Sequence, residues 1–146
     1  MSHIIQTLQA QATRRETPCG AGSIVWHVWG VGDGRQPPVV LFHGGSGSWT
    51  HWVRNIEPLV AAGRQVIAAD LPGFGDSALP PTGGDADALV APLAEGLQAL
   101  LGGEPCDLVG FSFGGMTAGL LLAEHPALAR RLVLVGAPAM GVTPNR

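Results

Sequence analysis

The sequence predicts an α/β protein built on a mostly parallel sheet with helices on both faces. Short apolar runs recur along the chain, among them VVLF at 39–42, CDLVGF at 106–111 and RLVLV at 131–135. Runs of this kind mark strands covered on both faces. Segments with apolar residues at helical spacing lie between them, and Gly- and Pro-rich loops separate the two, the pattern of strand–helix–strand units.

Taken in order, residues 1–22 carry no sustained pattern and read as a loosely ordered lead-in, with one domain over 23–146. The first strand is expected over 23–30 (SIVWHVWG), placing Ile24, Trp26 and Val28 on one face and Val25, His27 and Trp29 on the other. Residues 31–38 hold Gly32, Asp33, Gly34, Pro37 and Pro38, a turn signal. The strand 39–42 leads into a Gly/Ser loop over 43–50 (HGGSGSWT). A helix is expected over 50–62, shortened or kinked by Pro58 and closed by Gly63. A strand follows over 65–69 (QVIAA), then a loop over 70–81 too dense in Gly and Pro for a helix. Leu89, Leu93, Leu97 and Leu100 predict a helix over 85–101, broken at Pro92. The strand 106–111, a helix over 114–124 closed by His125-Pro126, the strand 131–135 and a polar tail complete the chain.

Composition narrows the function. Of 146 residues, 46% are hydrophobic and 13% charged, which excludes a disordered chain. A net charge of −3 leaves no basic footprint for nucleic acid or an anionic membrane. Lysine is absent, which excludes P-loop NTPase and Schiff-base chemistry. Cys19 and Cys106 read as two reduced thiols rather than a disulfide framework, and no Cys/His spacing suggests a metal site. No cofactor is implied. The N-terminus has no apolar core of a signal peptide, and the apolar stretch 108–123 is too short and too punctuated by glycine to span a bilayer. The expected location is the cytoplasm.

Two motifs carry chemistry. Gly110-Phe111-Ser112-Phe113-Gly114 falls between a predicted strand and a predicted helix. A serine on so sharp a turn takes a strained backbone conformation, and the small residues Gly110 and Gly114 let strand and helix approach closely. Its hydroxyl then stands clear at the C-terminal edge of the sheet, facing the positive end of the following helix. His43-Gly44-Gly45-Ser46-Gly47 directly follows a buried strand. Two successive glycines there offer N–H donors that no side chain obstructs.

These motifs resemble those of the α/β-hydrolase family. The resemblance extends to Asp70-Leu71-Pro72-Gly73-Phe74-Gly75-Asp76-Ser77, similar to the family's D-x-P-G-x-G-x-S loop, and to His125-Pro126, 132–135 and Gly136-Ala137-Pro138; it covers 23–138. It implies that Ser112 is the nucleophile, that the amides of Gly45 and Phe113 form the oxyanion hole, and that 70–77 is a structural loop at the pocket rim. His43, Gly44, Trp49 and Phe111 are the further pocket candidates.

The chain departs from the family pattern in one respect. The family's triad runs Ser, acid, His along the chain, whereas here the last carboxylate is Glu124 and the only later histidine is His125. The helix between Ser112 and His125 is about 16 Å long at 1.5 Å per residue, so His125 cannot serve as base. The expectation is therefore the N-terminal part of a hydrolase fold, without its cap and last strands, whose triad acid and His lie beyond residue 146. Other residues receive plainer readings. His43 orders its own loop. His51 lies on the active-site side with nothing in the sequence to fix its orientation. Trp49 and Trp52 pack as core, with one free to line an acyl pocket. Arg14-Arg15 and Arg130-Arg131 are solvated charges. Gly73 to Ala78 fits G-x-G-x-x-A, but Pro80-Pro81 prevents the helix a dinucleotide site requires.

The resulting expectation is a serine hydrolase acting on an ester or related acyl or C–C bond of a small molecule. The alternative is a non-catalytic relic of the fold that binds a ligand or partner. The strand 131–135 is an apolar edge, which implies self-association or pairing with a C-terminal portion.

Overall fold

The computed structural model describes residues 3–83 and 85–136. Six strands form one sheet in the order β1-β2-β4-β3-β5-β6. They are β1 (Thr13–Cys19), β2 (Gly22–Trp29), β3 (Val39–Phe42), β4 (Val66–Asp70), β5 (Cys106–Phe111) and β6 (Ala129–Val135). The pairs β4–β3, β3–β5 and β5–β6 are parallel, and β1–β2 and β2–β4 are antiparallel. The helices are α1 (His3–Gln11), α2 (Ile56–Ala61), α3 (Val90–Leu101) and α4 (Phe113–Glu124).

Strand alternation divides the interior into two cores. In β3, Val40 and Phe42 face the side covered by α3 and α4, where Trp26, Ile67, Leu93, Leu97, Leu108 and Leu121 are buried. Val39 and Leu41 face the other side, with Leu8 of α1, Trp29, Trp49, Trp52 and Ile56 of α2. A four-residue strand with all four side chains buried needs apolar residues at every position, which is why VVLF has no polar member.

The segment read as a loose lead-in is α1 and β1. Helix α1 is fixed by one fully buried residue, Leu8, whose carbonyl also accepts the Trp29 indole N–H at 2.8 Å. Strand β1 pairs along its length with β2 through a hairpin at Gly20-Ala21, where Gly20 takes φ +55°. It is an edge strand whose first four residues are all exposed, so it shows no apolar alternation there. The buried Thr17 hydroxyl accepts the Trp26 indole N–H at 2.8 Å.

The expected helix over 50–62 is two pieces: a single 3-10 turn over Trp49–Trp52 and the short α2. Pro58 is the third residue of α2, in the first turn, where its missing N–H costs nothing. Gly63 follows at φ +89°, as its closing role requires. The helix over 85–101 likewise divides into a 3-10 turn over Ala86–Leu89 and α3. The division precedes Pro92 rather than falling on it, because Pro92 is also in a first turn.

The two pairs of arginines differ in their surroundings. Arg14 is half exposed and within 3.3 Å of Glu16 and Asp76, whereas Arg130 is not merely solvated. Its guanidinium donates to both Asp107 oxygens, at 3.2 and 2.9 Å, and Arg64 reaches the same carboxylate at 2.7 Å while also bonding the Pro37 carbonyl. This network ties the N-terminal ends of β3, β5 and β6 together. Cys19 and Cys106 are buried free thiols, and burial pushes the Cys106 thiol up to about 12.

Candidate active site

Parallel strands β3 and β5 lie side by side, so the loops that leave their C-terminal ends meet. At the end of β5, Ser112 takes φ +54° and ψ −116°, a conformation an L-residue occupies only under constraint. Its N–H donates to the Val135 carbonyl at 2.9 Å, and its own carbonyl accepts from Gly115 and Met116, which starts α4. The hydroxyl is half-buried and unpartnered among the described residues.

The turn demands glycine on both sides. A Cβ on Gly110 would lie 2.6 Å from the Gly114 carbonyl oxygen and from the Gly115 Cα. A Cβ on Gly114 would collide with the backbone carbonyls of Phe42 and His43. Backbone contact between α4 and the end of β3 therefore brings the two motifs together.

The loop after β3 is held by two imidazoles. His43 is fully buried, and its Nε2 accepts the Leu71 N–H at 2.9 Å. In the neutral ring the proton is then on Nδ1, which donates to the Gly44 carbonyl at 2.7 Å. Burial pushes the His43 pKa below its ordinary value, outweighing the Gly44 bond and the Asp70 charge. Gly45 is exposed and stands beside Phe113: a Cβ on Gly45 would be 3.8 Å from the Phe113 Cβ. Gly44 is buried, with Phe111 occupying the space its Cβ would need. The amides of Gly45 and Phe113 have no hydrogen-bond partner among the described residues. The fold thus brings Gly44, Gly45, Phe111, Ser112 and Phe113 together, with His43 beneath them.

Trp49 is placed elsewhere. It is buried against Trp29 and His27, with ring centroids 5.3 Å from each, in the core on the opposite face of the sheet from α4. His125 is at the far end of α4 from Ser112.

Two further residues carry weight that the sequence left unassigned. Asp70 Oδ1 accepts the Trp49 N–H at 2.9 Å, and Oδ2 accepts the Asp76 N–H at 3.1 Å and lies 3.4 Å from His27 Nε2. Burial works to raise its pKa but is outweighed by His27 and the two amides, which hold the carboxyl below its ordinary value. Asp70 thereby joins the loops after β3 and β4. The D-L-P-G-F-G-D-S signature marked this position; the partners His27 and Trp49 had no signal. The second residue is His51, whose Nδ1 accepts the Gly44 N–H at 3.1 Å.

Comparison with known proteins agrees with this fold. A family model described as alpha/beta hydrolase fold matches residues 37–145. The chain is 35% identical over 123 residues to a 2-hydroxy-6-oxononadienedioate/2-hydroxy-6-oxononatrienedioate hydrolase from Pseudomonas sp, covering 82% of this chain and 42% of that protein. It is 38% identical over 118 residues to an sn-1-specific diacylglycerol lipase from Mus musculus, covering 78% and 37%. Among solved structures, a bacterial membrane phospholipase A matches with a TM-score of 0.78 at 29% identity, over 97% of this chain and 45% of that one. A thioesterase domain from the curacin biosynthetic pathway matches with a TM-score of 0.77 at 28% identity, over 90% and 48%. The chain spans less than half the length of each of these proteins.

Proposed function

Because the chain belongs to the alpha/beta hydrolase family, we propose that it forms the nucleophile-bearing part of a serine hydrolase acting on an ester or related acyl or C–C bond. The observation that carries this reading is the φ +54° turn at Ser112, beside a loop whose Gly45 amide has no partner among the described residues and whose backbone abuts Phe113. Ser112 Oγ attacks a carbonyl carbon, and the N–H groups of Gly45 and Phe113 receive the negative charge that develops on the carbonyl oxygen. A histidine base takes the Oγ proton and returns it to the leaving group; water then releases the acyl group and restores the hydroxyl. That histidine and its acid come from beyond residue 146 of the whole protein, since His125 and Glu124 are at the wrong end of α4.

The relatives' names, a 2-hydroxy-6-oxononadienedioate/2-hydroxy-6-oxononatrienedioate hydrolase and an sn-1-specific diacylglycerol lipase, support a hydrolytic reaction. The test is labelling with a fluorophosphonate probe, with the modified peptide identified by mass spectrometry, alongside turnover of p-nitrophenyl acetate. Chain 1–146 and a longer polypeptide carrying the remainder of the domain are compared. The longer form is expected to label at Ser112 and to lose turnover in Ser112→Ala. Chain 1–146 alone is expected to be slower by several orders of magnitude, as when the base is removed. Turnover that survives Ser112→Ala overturns the reading.

A further inference from the structure

His51 is exposed and belongs to the 3-10 turn after the glycine loop, yet its ring is not free. Nδ1 accepts the Gly44 N–H at 3.1 Å. The ring lies where a Cβ on Gly47 would be, so the loop folds over the imidazole only because residue 47 has no side chain. It meets Phe111 edge-on at 5.8 Å and His43 edge-on at 5.9 Å.

These contacts bear on one peptide group. The unit joining Gly44 and Gly45 carries the Gly44 carbonyl and the Gly45 N–H, which point in opposite directions across a planar trans bond. His43 Nδ1–H holds the carbonyl from the buried side. His51 holds the preceding Gly44 N–H from the exposed side. With both ends of Gly44 tied, the direction of the Gly45 N–H is set.

We propose that His51 is a positioning residue which, opposite His43, locks the Gly44–Gly45 peptide so that the Gly45 N–H is held ready for the substrate oxyanion. This deepens the serine-hydrolase reading and rests on it. A preorganised donor contributes to catalysis because no reorientation is needed as charge develops. Glycine at 44, 45 and 47 gives a bare but soft backbone, and the second imidazole supplies the stiffness that the glycines lack. The role requires an acceptor at the position of Nδ1 and not simply an aromatic ring.

The experiment separates those two possibilities. His51→Phe keeps a ring and removes the acceptor, whereas His51→Asn keeps an acceptor near Nδ1 and removes the ring. Gly47→Ala displaces the imidazole without altering it. Amide NMR of the 146-residue chain is expected to show the Gly44 and Gly45 signals shifted in His51→Phe and in Gly47→Ala, and largely restored in His51→Asn. In the longer polypeptide, His51→Phe is expected to lower kcat about tenfold, less than the loss from deleting a donor outright, with KM nearly unchanged; His51→Asn recovers most of the rate. A thermal melt of each variant reports folding. Unmoved Gly44 and Gly45 signals in His51→Phe overturn the proposal, as does kcat that follows ring size rather than the acceptor. If Ser112→Ala leaves turnover intact, the serine reading fails, while the NMR comparison still decides whether His51 ties the loop.

Discussion

Gly110 and Gly115 are packed backbone against backbone, with the Gly115 Cα 2.6 Å from the place a Cβ on Gly110 would occupy. That contact sets how closely α4 approaches the sheet, and Gly114 repeats it against Phe42 and His43. Backbone atoms cannot rotate out of the way, so neither position tolerates a methyl group. Gly110→Ala and Gly114→Ala are each expected to destabilise the chain by about 3 kcal/mol, the upper range for overpacking. Urea unfolding checks this; a loss below 1 kcal/mol at both sites would mean that helix and sheet separate easily.

Ser112 presents the opposite case. At φ +54° and ψ −116° it bears backbone strain that glycine would relieve. Ser112→Gly is expected to raise stability by about 1 kcal/mol while removing the hydroxyl. A urea midpoint unchanged or lowered in this variant would show that the turn costs nothing.

Asp107 makes stability depend on acid. Burial works to raise its pKa, but the hydrogen bonds and charges of Arg130 and Arg64 prevail and hold it below the ordinary carboxylate range. A carboxylate with a depressed folded pKa contributes stability that is present above its unfolded pKa and is lost as pH falls through the folded value. Asp107→Asn is expected to cost about 2 kcal/mol at pH 7. The difference from wild type should shrink below about pH 4, where the unfolded carboxyl is itself protonated. A difference constant from pH 7 to pH 2, followed by thermal melts, would count against the charge pairing.

Strand β6 has one neighbour among the described residues and exposes Val133 at 51% and Val135 at 44%. An apolar groove of Val39, Leu41, Trp52, Leu59 and Val109 runs beside it, and the buried Trp52 Nε1 has no partner among the described residues. An apolar strand edge of this kind templates pairing with another copy. Sedimentation of chain 1–146 at micromolar concentration is expected to show association, reduced in Val133→Lys. A monomer that unfolds cooperatively would show that the edge is covered.

The strands and the tight turn at Ser112 were legible because burial on both faces leaves a dense apolar signature, and because Gly110, Ser112 and Gly114 are constrained by backbone geometry alone. Strand β1 was not, because an edge strand written TRRETPC satisfies its backbone through pairing and needs few apolar side chains. Both prolines marked a divided segment without locating the division: Pro58 and Pro92 sit in the first turns of α2 and α3, just after it. Trp49 was half legible, since its spacing from Trp52 marks a core residue but does not tell which of the two cores receives it. The ties made by His51, Asp70 and Arg130 depend on which loop ends the sheet order brings together, and no periodicity encodes that.

The sheet order carries a kinetic consequence. The loops bearing Gly45 and Asp70 follow the directly paired strands β3 and β4, and the loop bearing Ser112, distant in the chain, joins them only when β5 pairs beside β3. Contacts between remote segments form late, since loop closure must be met before they give any return. The Ser112 turn therefore meets the glycine loop only once the centre of the sheet is assembled. Proximity of the Gly45 and Ser112 loops thus reports completion of the β3–β5 pairing.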